Sequence, residues 1–166
     1  MSKDIIKDRI LVIDFGSQYT QLIARRVREI GVYCEIYHYK SSFSTIKKFN
    51  PQGIILSGGP ETVKQKGSPK VPDKLFDLGI PVLGICYGMQ TIAKQLGGKV
   101  ELAKKREFGH ADLSLKNLAS GLFKGIKKKS INVWMSHGDH VSRLPKGFKS
   151  CARSSNSPIA ALFHPT

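Results

Sequence analysis

The sequence predicts an α/β fold: a doubly wound, mostly parallel sheet in the first half, with a mixed or antiparallel extension in the second. Three observations carry this. Short continuous apolar runs alternate with stretches of helical spacing as far as Gly97-Gly98. The runs end at glycine or proline, as at Phe15-Gly16-Ser17 and Gly58-Gly59-Pro60. Past Gly98 further strand-like runs continue, but no clear helix separates them. Strand and helix in alternation, joined by short links, is the pattern of a parallel sheet covered on both faces.

Taken in order, residues 9–14 read as a buried strand. Residues 18–30 show helical periodicity, with Leu22, Ile23, Val27 and Ile30 expected on one face and Gly31 as the stop. A second strand is expected at 32–37, a short helix at 44–49 broken by Asn50-Pro51, and a third strand at 53–57. A loop rich in Lys, Gly, Ser and Pro leads to a helix near 72–78 and a fourth strand at 80–85. The helix at 89–96 stops at Gly97-Gly98, and strands follow at 99–102, 111–115, 131–135 and 149–152.

The chain has 166 residues, enough for one domain with a real core. No apolar run approaches the roughly 20 residues that span a bilayer, and the charged opening has no signal-peptide core, so a cytoplasmic protein without a membrane partner is expected. Cys34, Cys86 and Cys151 are too widely spaced for a metal motif and read as reduced thiols. The net charge of +15 sits in scattered short groups such as Lys127-Lys128-Lys129. With no aromatic-interleaved basic stripe and no helix-turn-helix signature, a nucleic-acid partner is not expected.

The sharpest chemical signal is Gly84-Ile85-Cys86-Tyr87-Gly88. It has the G-x-C-x-G form of a nucleophile elbow, with an apolar strand before it and a helix after it. Such a turn holds the Cys86 side chain in the open at the strand's carboxyl end. The helix start favours negative charge nearby, so a lowered thiol pKa is expected. A buried structural cysteine is the plainer alternative, but it has no need of paired flanking glycines. Acyl chemistry also needs donors for an oxyanion. The Tyr87 backbone N–H is one candidate and the Gly59 N–H, in the loop after the neighbouring strand, is the other. Gly58-Gly59-Pro60 could equally be an ordinary turn.

Four blocks occur in order: Phe15-Gly16-Ser17-Gln18-Tyr19, Leu56-Ser57-Gly58-Gly59-Pro60, Gly84-Ile85-Cys86-Tyr87-Gly88-Met89-Gln90, and Met135-Ser136-His137-Gly138-Asp139. Together with Arg106-Glu107-Phe108-Gly109 and Val133-Trp134, these resemble the class I glutamine amidotransferases. More narrowly, they resemble the glutaminase domains of glutamine-hydrolysing GMP synthetases, over nearly the whole chain. The resemblance implies that Cys86 attacks the side-chain amide of L-glutamine, releasing ammonia and leaving a glutamyl thioester for water to hydrolyse. It implies that Gln90 contacts the glutamine and that Ser136, His137, Gly138 and Asp139 form a loop holding its amino-acid end. A carboxylate at Asp139 suits an α-ammonium group, although Asp is also a common turn residue. His137 then belongs to the substrate loop and is not the base. By the same resemblance, ammonia passes to an ATP-pyrophosphatase (synthetase) domain, in the same chain or a separate subunit, which converts XMP to GMP. ATP and Mg2+ belong to that domain, and no cofactor or metal is expected in this one. A homodimer is compatible with the full enzyme.

Two features depart from the family pattern. The family's base and its orienting carboxylate lie in a late strand ending His-Pro-Glu, whereas this sequence reads Phe163-His164-Pro165-Thr166. His164 comes too early, where a turn is due, so it is not expected to be the base. No P-loop or other nucleotide motif is present. A single glutaminase domain, 1–166, truncated before its last strand, is therefore expected. The alternative is a catalytically dead module that binds glutamine without the His and Glu. A γ-glutamyl hydrolase on the same fold is a third candidate, disfavoured by the blocks above.

Overall fold

A computed structural model describes residues 8–116 and 121–165, without the side chains of 104–107 and 137. It divides into two compact units, 1–92 and 93–166.

The first unit is built on a four-stranded parallel sheet in the order β2-β1-β3-β4. Its elements are β1 (Arg9–Asp14), α1 (Thr20–Glu29), β2 (Tyr33–His38), α2 (Phe43–Phe49), β3 (Gly53–Leu56), β4 (Val82–Gly84) and α3 (Tyr87–Gln95). β1 is central, and Leu11, Val12 and Ile13 have no solvent exposure. This is why the strand reads as an unbroken apolar run: neither face meets water. α1 buries Thr20 and Ala24 and packs Ile23 and Val27 over Val12 and Cys34. The buried face is therefore 20, 23, 24 and 27, one step round the helix from the expected stripe. Leu22 and Ile30 are exposed. Thr20 is drawn inward because its hydroxyl donates to Asp14 Oδ1 at 2.7 Å. The small Ala24 lets the helix lie close to the strands. Ser42 caps α2, its hydroxyl accepting from Thr45 N–H at 3.1 Å. The segment expected as a helix near 72–78 is a 3-10 helix, Asp73–Leu78, which buries Leu75.

The second unit holds a four-stranded antiparallel sheet, β6-β5-β7-β8. It comprises β5 (Lys99–Leu115), β6 (Ser130–Arg143), β7 (Lys149–Arg153) and β8 (Ala161–Phe163). These strands hydrogen-bond among themselves and form a sheet of their own, where the sequence suggested an extension of the first. The expected strands at 99–102 and 111–115 are two ends of one long strand. Side chains alternate along the regular stretch of the β5–β6 ribbon, where 108–114 pair with 130–136. Leu113, Leu115, Ile131, Val133 and Met135 turn toward the core around Phe123 and Cys151. Phe108, His110 and Asp112 face Ser136, Trp134 and Asn132 across the strands on the opposite, exposed side.

Among the described residues no helix is long and apolar enough to cross a membrane.

Candidate active site

The chain leaves β1 for β2 on one side and returns to β3 on the other. Loops leaving β1 and β3 therefore diverge at their carboxyl ends, the place where open α/β sheets form a crevice. Three segments meet there: Phe15-Gly16-Ser17, Ser57-Gly58-Gly59, and the β4–α3 elbow at Cys86.

Each segment is tied to the next by hydrogen bonds. Asp14 Oδ1 accepts from Gly16 N–H at 2.8 Å and from the Thr20 hydroxyl, which folds the β1–α1 link onto itself. Ser57 has no exposure; its hydroxyl accepts from Phe15 N–H at 3.0 Å and donates to Gly58 O at 2.8 Å. The elbow is sewn to the end of β3: Ile85 N–H donates to Leu56 O at 2.9 Å and Gly88 N–H to Ser57 O at 3.0 Å.

Cys86 itself has φ +50°, in the left-handed region that L residues seldom occupy. For a residue other than glycine this costs on the order of 1–3 kcal/mol, and such outliers cluster at functional sites. The two flanking glycines permit the tight turn. A Cβ on Gly84 would lie 2.5 Å from Met89 N, and one on Gly88 would lie 2.7 Å from Leu56 Cβ. Strand and helix therefore touch backbone to backbone, and Cys86 is exposed at the bend. α3 begins at the next residue, and Gln90 N–H donates to Cys86 O at 3.1 Å. As the first helical residue, Tyr87 has a backbone N–H with no acceptor in its own helix.

The thiol is not pre-ionised. Although Cys86 is exposed at its tip, the protein behind it removes water and pushes its pKa above the ordinary 9.0. Burial is the cause, with no ionised neighbour among the described residues to oppose it. This overturns the expectation of a lowered value. A helix start supplies about 0.3–1 kcal/mol. That is less than one pKa unit, at about 1.36 kcal/mol per unit, and the direction of the shift is set by desolvation.

Gly59 sits hard against β1, where a Cβ would meet Phe15 O at 2.8 Å. Gly58 is the glycine beside Cys86: its Cβ would lie 3.8 Å from Cys86 Cβ and 3.5 Å from Ser17 Oγ. Gln90 is buried on α3, four residues after Cys86 and so on the same side of the helix. Sequence reasoning passed over Ser57, Ser17 and Asp14 as individual side chains. The signal for Ser57 was present: a small hydroxyl directly after a buried strand, where orphaned loop amides need an acceptor.

Ser136, His137, Gly138 and Asp139 do not form a loop. They lie within β6, where Glu107 pairs with His137 and Leu102 with Asp139. Residues 103–106 of β5 bulge out opposite Gly138 alone, so the expected loop is the straight partner of a wide bulge. Ser136 is exposed, and Gly138 and Asp139 are half-buried. The His137 side chain lies outside the described residues. His164 is exposed, with its ring edge-on to Phe148 at 5.1 Å. Among the described residues no three His, Cys, Asp or Glu side chains gather as a metal site would need.

The family model for glutamine amidotransferase class-I matches residues 11–166. The glutamine-hydrolysing GMP synthase of Hahella chejuensis is 55% identical over 171 residues, covering 99% of this chain and 32% of that protein. That of Coxiella burnetii is 57% identical over 169 residues, covering 98% and 32%. The chain thus spans about a third of the length of these curated relatives. Among solved structures, a Thermoplasma acidophilum protein described as a GMP synthase subunit superposes with TM-score 0.83 at 32% identity, covering 96% of this chain and 79% of that one. A Thermotoga maritima glutamine amidotransferase shares the fold with TM-score 0.75 at 20% identity, covering 95% and 71%.

Proposed function

The chain belongs to the class-I glutamine amidotransferases, and on that premise we propose that it is the glutamine-hydrolysing part of a GMP synthase, with Cys86 as nucleophile. The observation that carries the assignment is the left-handed Cys86 at φ +50°, exposed between a buried strand and a helix start. The sulfur attacks the side-chain amide carbon of glutamine, the C–N bond breaks, and the nitrogen leaves as ammonia after gaining a proton. Water then cleaves the thioester to glutamate. The Tyr87 and Gly59 backbone N–H groups serve the oxyanion. Gln90, Ser136, His137, Gly138 and Asp139 hold the substrate. The sulfur carries its proton at neutral pH, so it must be deprotonated in the reaction, which is work for a base with an orienting partner. His164 is not assigned that work.

The ammonia is used by an ATP-pyrophosphatase portion to convert XMP to GMP, a reading supported by longer relatives that are named glutamine-hydrolysing GMP synthases. The test is ammonia release from glutamine, with and without that portion, for wild type and Cys86→Ala. Release that Cys86→Ala abolishes is the expected result. Equal release from both proteins would refute the nucleophile. Labelling of Cys86 by a glutamine-like chloroketone without release would show a competent site that lacks its base.

A further inference from the structure

Between β3 and the 3-10 helix, residues 57–72 form a loop that begins with Ser57-Gly58-Gly59 and runs out over exposed lysines. Val63 and Val71 bury their side chains, at 4% and 1% exposure. A polar contact joins the far end of this loop to the elbow: the Tyr87 hydroxyl donates to Pro69 O at 2.6 Å, across 18 residues of sequence. Tyr87 is 2% exposed, and its ring lies 5.1 Å from that of Phe15. Phe15 in turn presses its carbonyl on Gly59 and donates its N–H to Ser57. A closed circuit results: Tyr87 to Pro69, along the loop to Gly59 and Ser57, across to Phe15, and back to Tyr87.

Hydrophobic burial explains the ring but not the hydroxyl, since phenylalanine would fill the same space. A buried phenol needs an acceptor, and the Tyr87 hydroxyl, which also lies near the Thr91 side chain on its own helix, donates to a carbonyl of the loop that starts with the two glycines. We infer that Tyr87 is a positioning residue whose hydroxyl fastens the 60–71 loop to the residue beside Cys86, thereby holding Gly58 and Gly59 in register with the thiol. This role rests on Cys86 being the nucleophile, and it is separate from the part given to the Tyr87 backbone N–H. Burial, ahead of the nearby Glu61 charge, pushes the phenol up to about 12, so the donor persists across the working pH range.

The experiment compares the chain with its Tyr87→Phe variant in two measurements. Hydrogen exchange over residues 60–71 should quicken severalfold in the variant, while β1 and α1 stay protected. The rate of Cys86 labelling by a glutamine-like chloroketone, divided by its rate with iodoacetamide, should fall about tenfold, the equivalent of one hydrogen bond of roughly 1.4 kcal/mol. A general loss of stability would slow or speed both reagents together and leave the ratio alone. Unchanged exchange in the loop overturns the clamp. Faster exchange with an unchanged ratio overturns the positioning role. If the chloroketone labels neither protein, Cys86 is not the nucleophile, and the exchange measurement still decides whether the hydroxyl fastens the loop.

Discussion

Gly88 and Leu56 meet so closely that a Cβ on the glycine would stand 2.7 Å from that of the leucine. This contact locks the second residue of α3 to the last residue of β3, and the position of Cys86 depends on it. No side-chain rotation can relieve the overlap, because the backbone of Leu56 is in the way as well. Gly88→Ala should therefore lower unfolding free energy by about 3 kcal/mol, the upper part of the overpacking range. Urea denaturation measures it. A loss under about 0.5 kcal/mol, the usual size of a surface change, would mean that helix and strand are further apart than described.

Cys86 is strained where it stands. Glycine at φ +50° is not, so Cys86→Gly should raise the urea midpoint, by about 1 kcal/mol in stability, while removing glutamine hydrolysis. Cys86→Ala removes the sulfur and keeps the strain, so it should match wild type within about 0.5 kcal/mol. A glycine variant less stable than the alanine one would contradict the left-handed conformation.

The raised thiol has a sign that can be checked twice. Alkylation of Cys86 in the free protein should climb with pH and show its midpoint above 9.0. A midpoint near neutrality would mean that an unseen charge stabilises the thiolate. For stability, the folded-state pKa lies above the unfolded one, so the stabilising contribution is whole below the ordinary thiol value. Above it the unfolded chain ionises first, and stability falls until pH passes the raised value. Cys86→Ala should flatten that alkaline decline.

Ser57 satisfies two backbone groups from a site with no solvent. Ser57→Ala leaves Phe15 N–H without its acceptor, at a cost of about 1–3 kcal/mol. Thermal unfolding should show the loss. Chloroketone labelling should slow as well, because Gly58 O loses its anchor. Undiminished stability would require a water to take the hydroxyl's place.

Trp134, the one tryptophan of the chain, is 68% exposed on the outer face of the β5–β6 ribbon, with His110 edge-on at 4.9 Å. Its emission should be that of indole in water and should be readily quenched by acrylamide. A blue-shifted, protected signal would mean that this face is covered.

The parallel half of the fold was legible because it is buried on both faces. β1 and β3 announce themselves as apolar runs ending in glycine, and the elbow announces itself through Gly84 and Gly88. The α1 face was misplaced by one position because a hydrogen-bonded Thr20 and a small Ala24 are buried where Leu22 and Ile30 are not. The antiparallel half was harder for a related reason. Along 108–113 the bulky Phe108 points to water, while the small Gly109 and Ala111 are half-buried and Leu113 is buried. Size and hydropathy there run against the true alternation. The bulge opposite Gly138 was invisible, since nothing in Ala103 to Arg106 marks four residues as unpaired. Hydrogen-bond anchors such as Ser57 depend on which loop lies across from them, and that is a matter of topology.

Holding the thiol in its protonated form has a consequence for damage as well as for catalysis. Peroxide attacks thiolates far faster than thiols, so a cysteine that keeps its proton at rest should be oxidised slowly. The desolvation that raises the Cys86 pKa should therefore protect an outward-facing sulfur as well as slow its alkylation.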